Sequence, residues 1–277
     1  MKKSLRSLCV GSTLFCLPSL VHASGVVTEC SEASLRAALA GGGTVTFACD
    51  GMIPLASTLV ITNDTSFDGS GHSVTLGGND AVRVLDVNKG VQLALDHLTV
   101  AHGRSNRGGG IMNNGGIVNL SDCSLVFNQA LGTDGLDSTP SYQPATPGEE
   151  AQGGAVWNSG SLVANNTVFN ANAASGGDGG DDVDSTFMVL ESPGGGALGG
   201  AIYNSGSLLL TNCPFGNNLA LGGTGGKGTW GRRGGQAGGG AILNASGSVS
   251  SRACTFESNS ASGGLFGSLW RDGYRAD

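Results

Sequence analysis

Four segments of the sequence repeat one another, and this repetition constrains the fold more than any single motif. They read GGGIMNNGGIVNLSDCSLVFNQALG from Gly108, GGAVWNSGSLVANNTVFNANAASG from Gly153, GGAIYNSGSLLLTNCPFGNNLALG from Gly199 and GGAILNASGSVSSRACTFESNSASG from Gly239. Equivalent positions form columns. One holds Asn113, Asn158, Asn204 and Asn244, and another Cys123, Thr167, Cys213 and Cys254. A third holds Leu125, Phe169, Phe215 and Phe256. A fourth holds Asn128, Asn172, Asn218 and Asn259, followed two residues later by Ala130, Ala174, Ala220 and Ala261. The Cys/Thr column advances by 44, 46 and 41 residues, a period that suits a solenoid coil or a propeller blade.

Each unit combines a core of constant length with a variable Gly-rich insert. In the third unit the core reads as three short strands, IYN, SLLL and CPF, with Gly and Asn at the corners, where left-handed backbone is needed. Three strands per turn make one rung of a parallel β-helix. A propeller blade needs four antiparallel strands and has no room here. In stacked rungs, Phe over Phe builds a continuous apolar core, and Asn over Asn lets amides hydrogen-bond up the stack. The fold class expected is therefore all-β, a single-stranded parallel β-helix.

The remaining segments fit this plan. Residues 1–23 read as a signal peptide: Lys2, Lys3 and Arg6, an apolar run from Leu8 to Leu20, then Val21-His22-Ala23 as a cleavage site. That run is too short to span a bilayer, and no second long one exists, so the mature chain is expected to lack a transmembrane span and to be exported. Residues 24–57 hold a capping helix and the first strands. Ser31 is its N-cap, Leu35, Ala38 and Leu39 its apolar face, and Gly41 to Gly43 its stop. Residues 58–107 read as early rungs without long inserts, 108–264 as the four repeats, and 265–277 as a tail.

Without Lys2, Lys3 and Arg6, eleven of the 14 basic residues remain against 21 acidic ones, a net charge of −10. That balance argues against a nucleic-acid partner. Fifty glycines without a strict three-residue period exclude collagen. Cys30 and Cys49 flank the capping helix and are expected to form a disulfide. Cys123, Cys213 and Cys254 share a column with Thr167, which assigns them to packing. No His accompanies them at zinc-ligand spacing.

The motifs GGAV, GGAI and GGAI at Gly153, Gly199 and Gly239 are each followed by Phe-x-x-Asn, at Phe169–Asn172, Phe215–Asn218 and Phe256–Asn259. This pairing resembles the polymorphic outer membrane protein repeat, found in chlamydial polymorphic membrane proteins and other β-helix proteins of the pectate-lyase-like superfamily. The resemblance covers residues 108–264. It implies a right-handed parallel β-helix on a cell surface, with an adhesin-like role. The chlamydial proteins continue into a membrane barrel, whereas here LFGSLWRDGYRAD follows soon after the last repeat.

Enzymes of that superfamily cluster carboxylates with Lys, Arg or His on one face. The candidates here are Asp64, Asp68, Asp86, Asp96, His72, His97 and His102, which read as corner and solvent-edge residues, so no catalytic residue is assigned. A polysaccharide lyase or hydrolase is the alternative reading.

The inserts are the expected functional surface. The first, TDGLDSTPSYQPATPGEEAQ from Thr133, is acidic. The second carries Asp178, Asp181, Asp182, Asp184 and Glu191. The third, GGTGGKGTWGRRGGQAGGG from Gly222, carries Lys227, Trp230, Arg232 and Arg233 as candidate contacts for a surface, glycan or protein ligand. GGDGGDDVD, Gly176 to Asp184, matches a calcium-binding nonapeptide, but only once. The four aspartates are therefore expected to offer at most a weak calcium site on a flexible insert, and no other cofactor is expected.

Overall fold

A computed structural model describes residues 25–139, 143–182, 192–228 and 232–268. Every strand pairing between its five sheets' neighbours is parallel, and the strand order climbs rung by rung. The expected parallel β-helix is therefore present. One face is an eight-stranded sheet running from Gly25–Val27 to Ser248–Arg252. A six-stranded sheet runs from Leu59–Ile61 to Ile242–Asn244, and a seven-stranded sheet from Gly51–Pro54 to Thr255–Glu257. IYN, SLLL and CPF seed the strands Ile202–Asn204, Ser207–Thr211 and Pro214–Gly216.

Register makes the sequence columns physical. Phe169 pairs with Phe215, and Phe215 with Phe256. Their rings stack with centroids 4.6 and 4.9 Å apart. Along Ile117–Ser121 and Ser161–Asn165, every second residue is buried, the period of two that a one-sided sheet requires. In the first Asn column, each Nδ2 donates to the next Oδ1 at 2.7 Å, from Asn113 through Asn158 and Asn204 to Asn244. In the second, Asn128, Asn172, Asn218 and Asn259 are linked the same way at 3.1, 3.1 and 2.8 Å. Each lower amide also donates to a carbonyl of the rung before it, as Asn172 does to Leu125. Buried corner backbone thus finds partners without water.

The helix spans Glu32–Leu39. Ser31 caps it by accepting from the Ser34 amide, Leu35 is fully buried, and Gly41, Gly42 and Gly43 all take positive φ at its end. Cys30 and Cys49 are bridged, with Cα atoms 5.6 Å apart. At the other end, among the described residues, nothing covers the last rung. Phe256 there is 51% exposed, whereas its neighbour Phe215 is buried.

Each repeat also contains a fourth strand that the three-strand expectation lacks. Gln129–Leu131, Ala173–Ser175, Leu219–Leu221 and Ser260–Ser262 join Arg104–Ser105 in a five-stranded sheet. Opposite it, Ala151–Gln152, Ala197–Leu198 and Ala237–Gly238 form a three-stranded sheet. Ala130, Ala174 and Ala220 pack against Ala151 and Ala197 as a separate small core. The Ala column is therefore a narrow neck from which the inserts leave the β-helix.

Candidate functional site: the stacked glycine inserts

Where they are described, the inserts carry a regular set of backbone hydrogen bonds. Each leaves the neck on an outgoing leg and comes back on a return leg. The outgoing legs run over residues 132–138, 176–182, 222–228 and 263–268. The return legs begin near Thr146, Ser192 and Arg232. None of these legs is a β-strand. Their backbone bonds recur every third residue instead. The amides of Gly132, Gly135 and Ser138 donate to the carbonyls of Ser175, Asp178 and Asp181. Those of Gly176, Gly179 and Asp182 donate to Leu221, Thr224 and Lys227, and those of Gly222 and Gly225 to Ser262 and Leu265. A repeat of three residues, with the bonds running between neighbouring legs, is polyproline-II periodicity.

A second set of bonds joins the two layers in an alternating series. The Glu149 amide donates to Thr133, Gly177 to Glu149, Gly195 to Gly177, Gly223 to Gly195, Gly235 to Gly223 and Gly264 to Gly235. The glycines are where a side chain has no room. A Cβ on Gly176 would lie 2.0 Å from the Gly195 oxygen, and one on Gly195 1.9 Å from the Glu149 oxygen. The first insert explains the rule by breaking it. Thr133, Leu136 and Glu149 stand where later inserts have Gly177, Gly180 and Gly195. No insert precedes theirs, so their side chains project past the edge; Leu136 is 71% exposed. They also seal that edge: Thr133 Oγ1 donates to Glu149 Oε2, and Thr146 Oγ1 accepts from the Leu136 amide, both at 2.7 Å.

The third residue of each outgoing triplet faces outward. These positions are Asp134 and Asp137, then Asp178 and Asp181, then Thr224 and Lys227. The carboxylates are tied to the slab itself. Asp134 Oδ1 accepts from the Asp178 amide at 2.8 Å, and Asp178 Oδ1 from the Thr224 amide at 2.6 Å. Asp137 Oδ1 accepts from the Asp181 amide at 2.7 Å, and Asp181 Oδ1 from the Lys227 amide at 2.8 Å. Asp182 is buried, and its Oδ1 accepts from the Ser138 hydroxyl at 3.0 Å. Asp184, the fourth residue of the calcium expectation, lies outside the described residues. Asp178, Asp181 and Asp182 do not converge as a metal-ligand set. Of GGDGGDDVD, Gly176, Gly177, Gly179 and Gly180 occupy crowded places in the slab, where a Cβ would lie 2.0 Å from a backbone oxygen.

The basic residues of the third insert are separated. Lys227 lies on the outer face, where its Nζ approaches Asp181 Oδ2 at 3.5 Å. Arg232 takes the inner return-leg place of Thr146 and Ser192. Its Nε and Nη2 are buried, while Arg233 is exposed. Trp230 and Glu191 lie outside the described residues.

Among the carboxylate and histidine candidates of the early rungs, Asp68 and Asp96 sit one above the other in register, Asp86 lies mid-strand and half-buried, and the others lie at corners. Asp64 Oδ1 accepts from the Gln92 amide at 2.9 Å. Asp68 Oδ1 accepts from the Ser70 amide at 2.9 Å, the turn role its sequence suggests; the Ser70 side chain, and then this amide, hold its pKa below the ordinary carboxylate value. Asp86 pairs with Arg83 at 3.2 Å. His72 and His102 lie 3.4 and 3.3 Å from Asp50 and Asp80. One set does gather: ligand atoms of Asp96, His97 and Asp122 lie within 4.8 Å of one another on an exposed corner. Comparison with family models, curated proteins and solved structures returns no match for this chain.

Proposed function

We propose that this chain is an exported, non-enzymatic binding protein, adhesin-like in action, whose recognition surface is the outer face of the stacked inserts. The observation that carries this reading is the backbone-to-backbone packing of the inserts around glycines with no room for a Cβ. A loop that merely connects strands has no need of such packing. A recognition surface does, because side chains held in place before contact lose little entropy on binding. The outward residues form a grid, spaced by about 9 Å along a leg from three residues of ~3.1 Å rise. Rungs set the other dimension, at ~4.8 Å. Asp134, Asp137, Asp178 and Asp181 make the first two rows acidic, and Lys227 changes the sign in the third. Export rests on the leader-like residues 1–23, and the surface-directed role on the resemblance of the GGAI and Phe-x-x-Asn motifs.

The test uses Asp→Asn replacements at 134, 137, 178 and 181. Asparagine keeps the Oδ1 acceptor for the neighbouring amide and removes the charge, so the slab is retained. Binding of the purified chain to cells, matrix or glycan arrays should weaken in this variant and in Lys227→Gln. Wild-type binding by both, with an unchanged melting curve, would remove the reading.

A polysaccharide-active enzyme is the second reading, favoured by one arrangement, Asp96 with His97 and Asp122. Product release from acidic polysaccharides that Asp96→Asn abolishes would support it over the first.

A further inference from the structure

We infer that Cys213 and Cys254 form a second disulfide, closable in the folded protein, that staples the last rung to the one before it. The two residues are in register. Thr211 pairs with Arg252 on one side of them, and Pro214 with Thr255 on the other. Parallel rungs about 4.8 Å apart bring stacked Cα atoms inside the ~4.4–6.8 Å range that a disulfide spans. Both side chains point into the same corner. Each thiol donates to the carbonyl two residues before it, Cys213 to Thr211 at 3.3 Å and Cys254 to Arg252 at 3.4 Å.

The third free cysteine shows how selective this placement is. Cys123 donates to Ser121 at 3.1 Å in the same way, but Thr167 occupies the rung above it. Cys213 is two rungs away, about 10 Å by rung spacing and beyond disulfide reach. Among the three free cysteines of the described residues, only Cys213 and Cys254 stand on adjacent rungs.

Access defines the chemistry. Cys213 is buried, and Cys254 is half-buried at the open end. A disulfide reagent of the glutathione class therefore meets Cys254 first. The Cys254 thiolate attacks one sulfur of the reagent, a mixed disulfide forms, and one reagent thiol leaves. Cys213 then loses its proton and attacks Cys254 Sγ, expelling the second reagent thiol. Two protein thiols are oxidised and one reagent disulfide is reduced to two thiols. The bridge closes around the residues between Cys213 and Cys254 and holds the rung whose Phe256 and Val249 are 51% and 41% exposed.

The experiment uses the full chain with Cys9 and Cys16 of the leader-like segment replaced by Ser, equilibrated with oxidised glutathione, then unfolded in guanidinium with a maleimide tag and analysed by intact and peptide mass. One tag on Cys123, with a peptide linking Cys213 to Cys254 beside the Cys30–Cys49 peptide, supports the inference. Three tags with Cys30–Cys49 intact overturn it, as does a bridge involving Cys123 or a stable mixed disulfide on Cys254 with Cys213 still tagged. Cys254→Ser should carry two tags, on Cys123 and Cys213. Limited proteolysis supplies an independent readout. Cleavage within residues 242–262 should slow several-fold on oxidation in wild type and stay unchanged in Cys254→Ser. Equal cleavage of oxidised and reduced wild type would overturn the staple.

Discussion

Gly177 lies so close against the Thr133 carbonyl that a Cβ added to it would sit 2.0 Å from the Thr133 oxygen. The two residues hold equivalent places in consecutive inserts, yet only the later one is required to be glycine. Gly177→Ala forces two backbones apart inside the slab. Overpacking of this kind costs roughly 1–3 kcal/mol. Thr133→Ala, at the free edge, should cost less than about 0.5 kcal/mol beyond its lost bond to Glu149. Urea denaturation of both variants, with proteolysis across residues 132–182, measures the contrast. Equal losses would show that the glycine rule is not steric.

The Asn ladder makes a second prediction. Asn158 is fully buried, accepts from Asn113 at 2.7 Å and donates to Asn204 at 2.7 Å. Asn158→Leu leaves the buried Asn204 Oδ1 without its donor, while Asn113 Nδ2 keeps the Gly116 and Ser161 carbonyls. The loss should be about 1–3 kcal/mol, chiefly from one orphaned acceptor. Asn244→Leu, at the open end, removes only the acceptor for Asn204 and should cost less than half as much. Denaturation midpoints of the two variants decide whether position in the stack sets the cost.

The parts of the fold legible in the sequence are those where identical side chains sit above one another. Asn113, Phe169 and their columns recur because stacking demands it, and Ser31 and the Cys30–Cys49 pair mark the cap by ordinary capping and spacing rules. The fourth strand was harder to read. Its only periodic residue is the Ala of Ala130, Ala174 and Ala220, too small to suggest a core. The slab left a weaker trace, since its signature is missing side chains. A chain-wide Gly-x-y search passes over it because the triplets are confined to the inserts. The first insert conceals the rule further, with Thr133, Leu136 and Glu149 in place of glycines. Gly-Gly-x-Gly-Gly at Gly176–Gly180 and again at Gly222–Gly226 was the readable sign.

Asp178 tests the role of the outward carboxylates. Its Oδ1 accepts from the Thr224 amide at 2.6 Å. Asp178→Ala should lower stability by about 1 kcal/mol, the net value of one such bond, and Asp178→Asn by much less. With these oxygens already engaged, millimolar calcium should leave the wild-type melting temperature unchanged. A calcium-induced rise that Asp178→Asn removes would restore a metal role for this insert.

Glu32 links the capping helix to the first rungs and makes the cap sensitive to acid. Its Oε2 accepts from the Ala56 amide at 2.8 Å, and its Oε1 from Arg36 Nε at 2.8 Å. The Ala56 bond, and then the Arg36 bond, hold its pKa below the ordinary 4.5. A carboxyl with a depressed folded pKa binds its proton more readily in the unfolded chain. Its contribution is therefore complete above pH 4.5 and is lost as the pH falls through the lower folded value. Glu32→Gln removes this dependence. Melting temperatures of wild type and variant should differ by a constant small amount at neutral pH, because the site is largely open to solvent. The two curves should converge only below pH 4.5. Asp50 and Asp68 are shifted in the same direction and act equally in both proteins, so the difference between the curves isolates Glu32. Convergence above pH 4.5, or none down to strong acid, would place the acid sensitivity of the cap elsewhere.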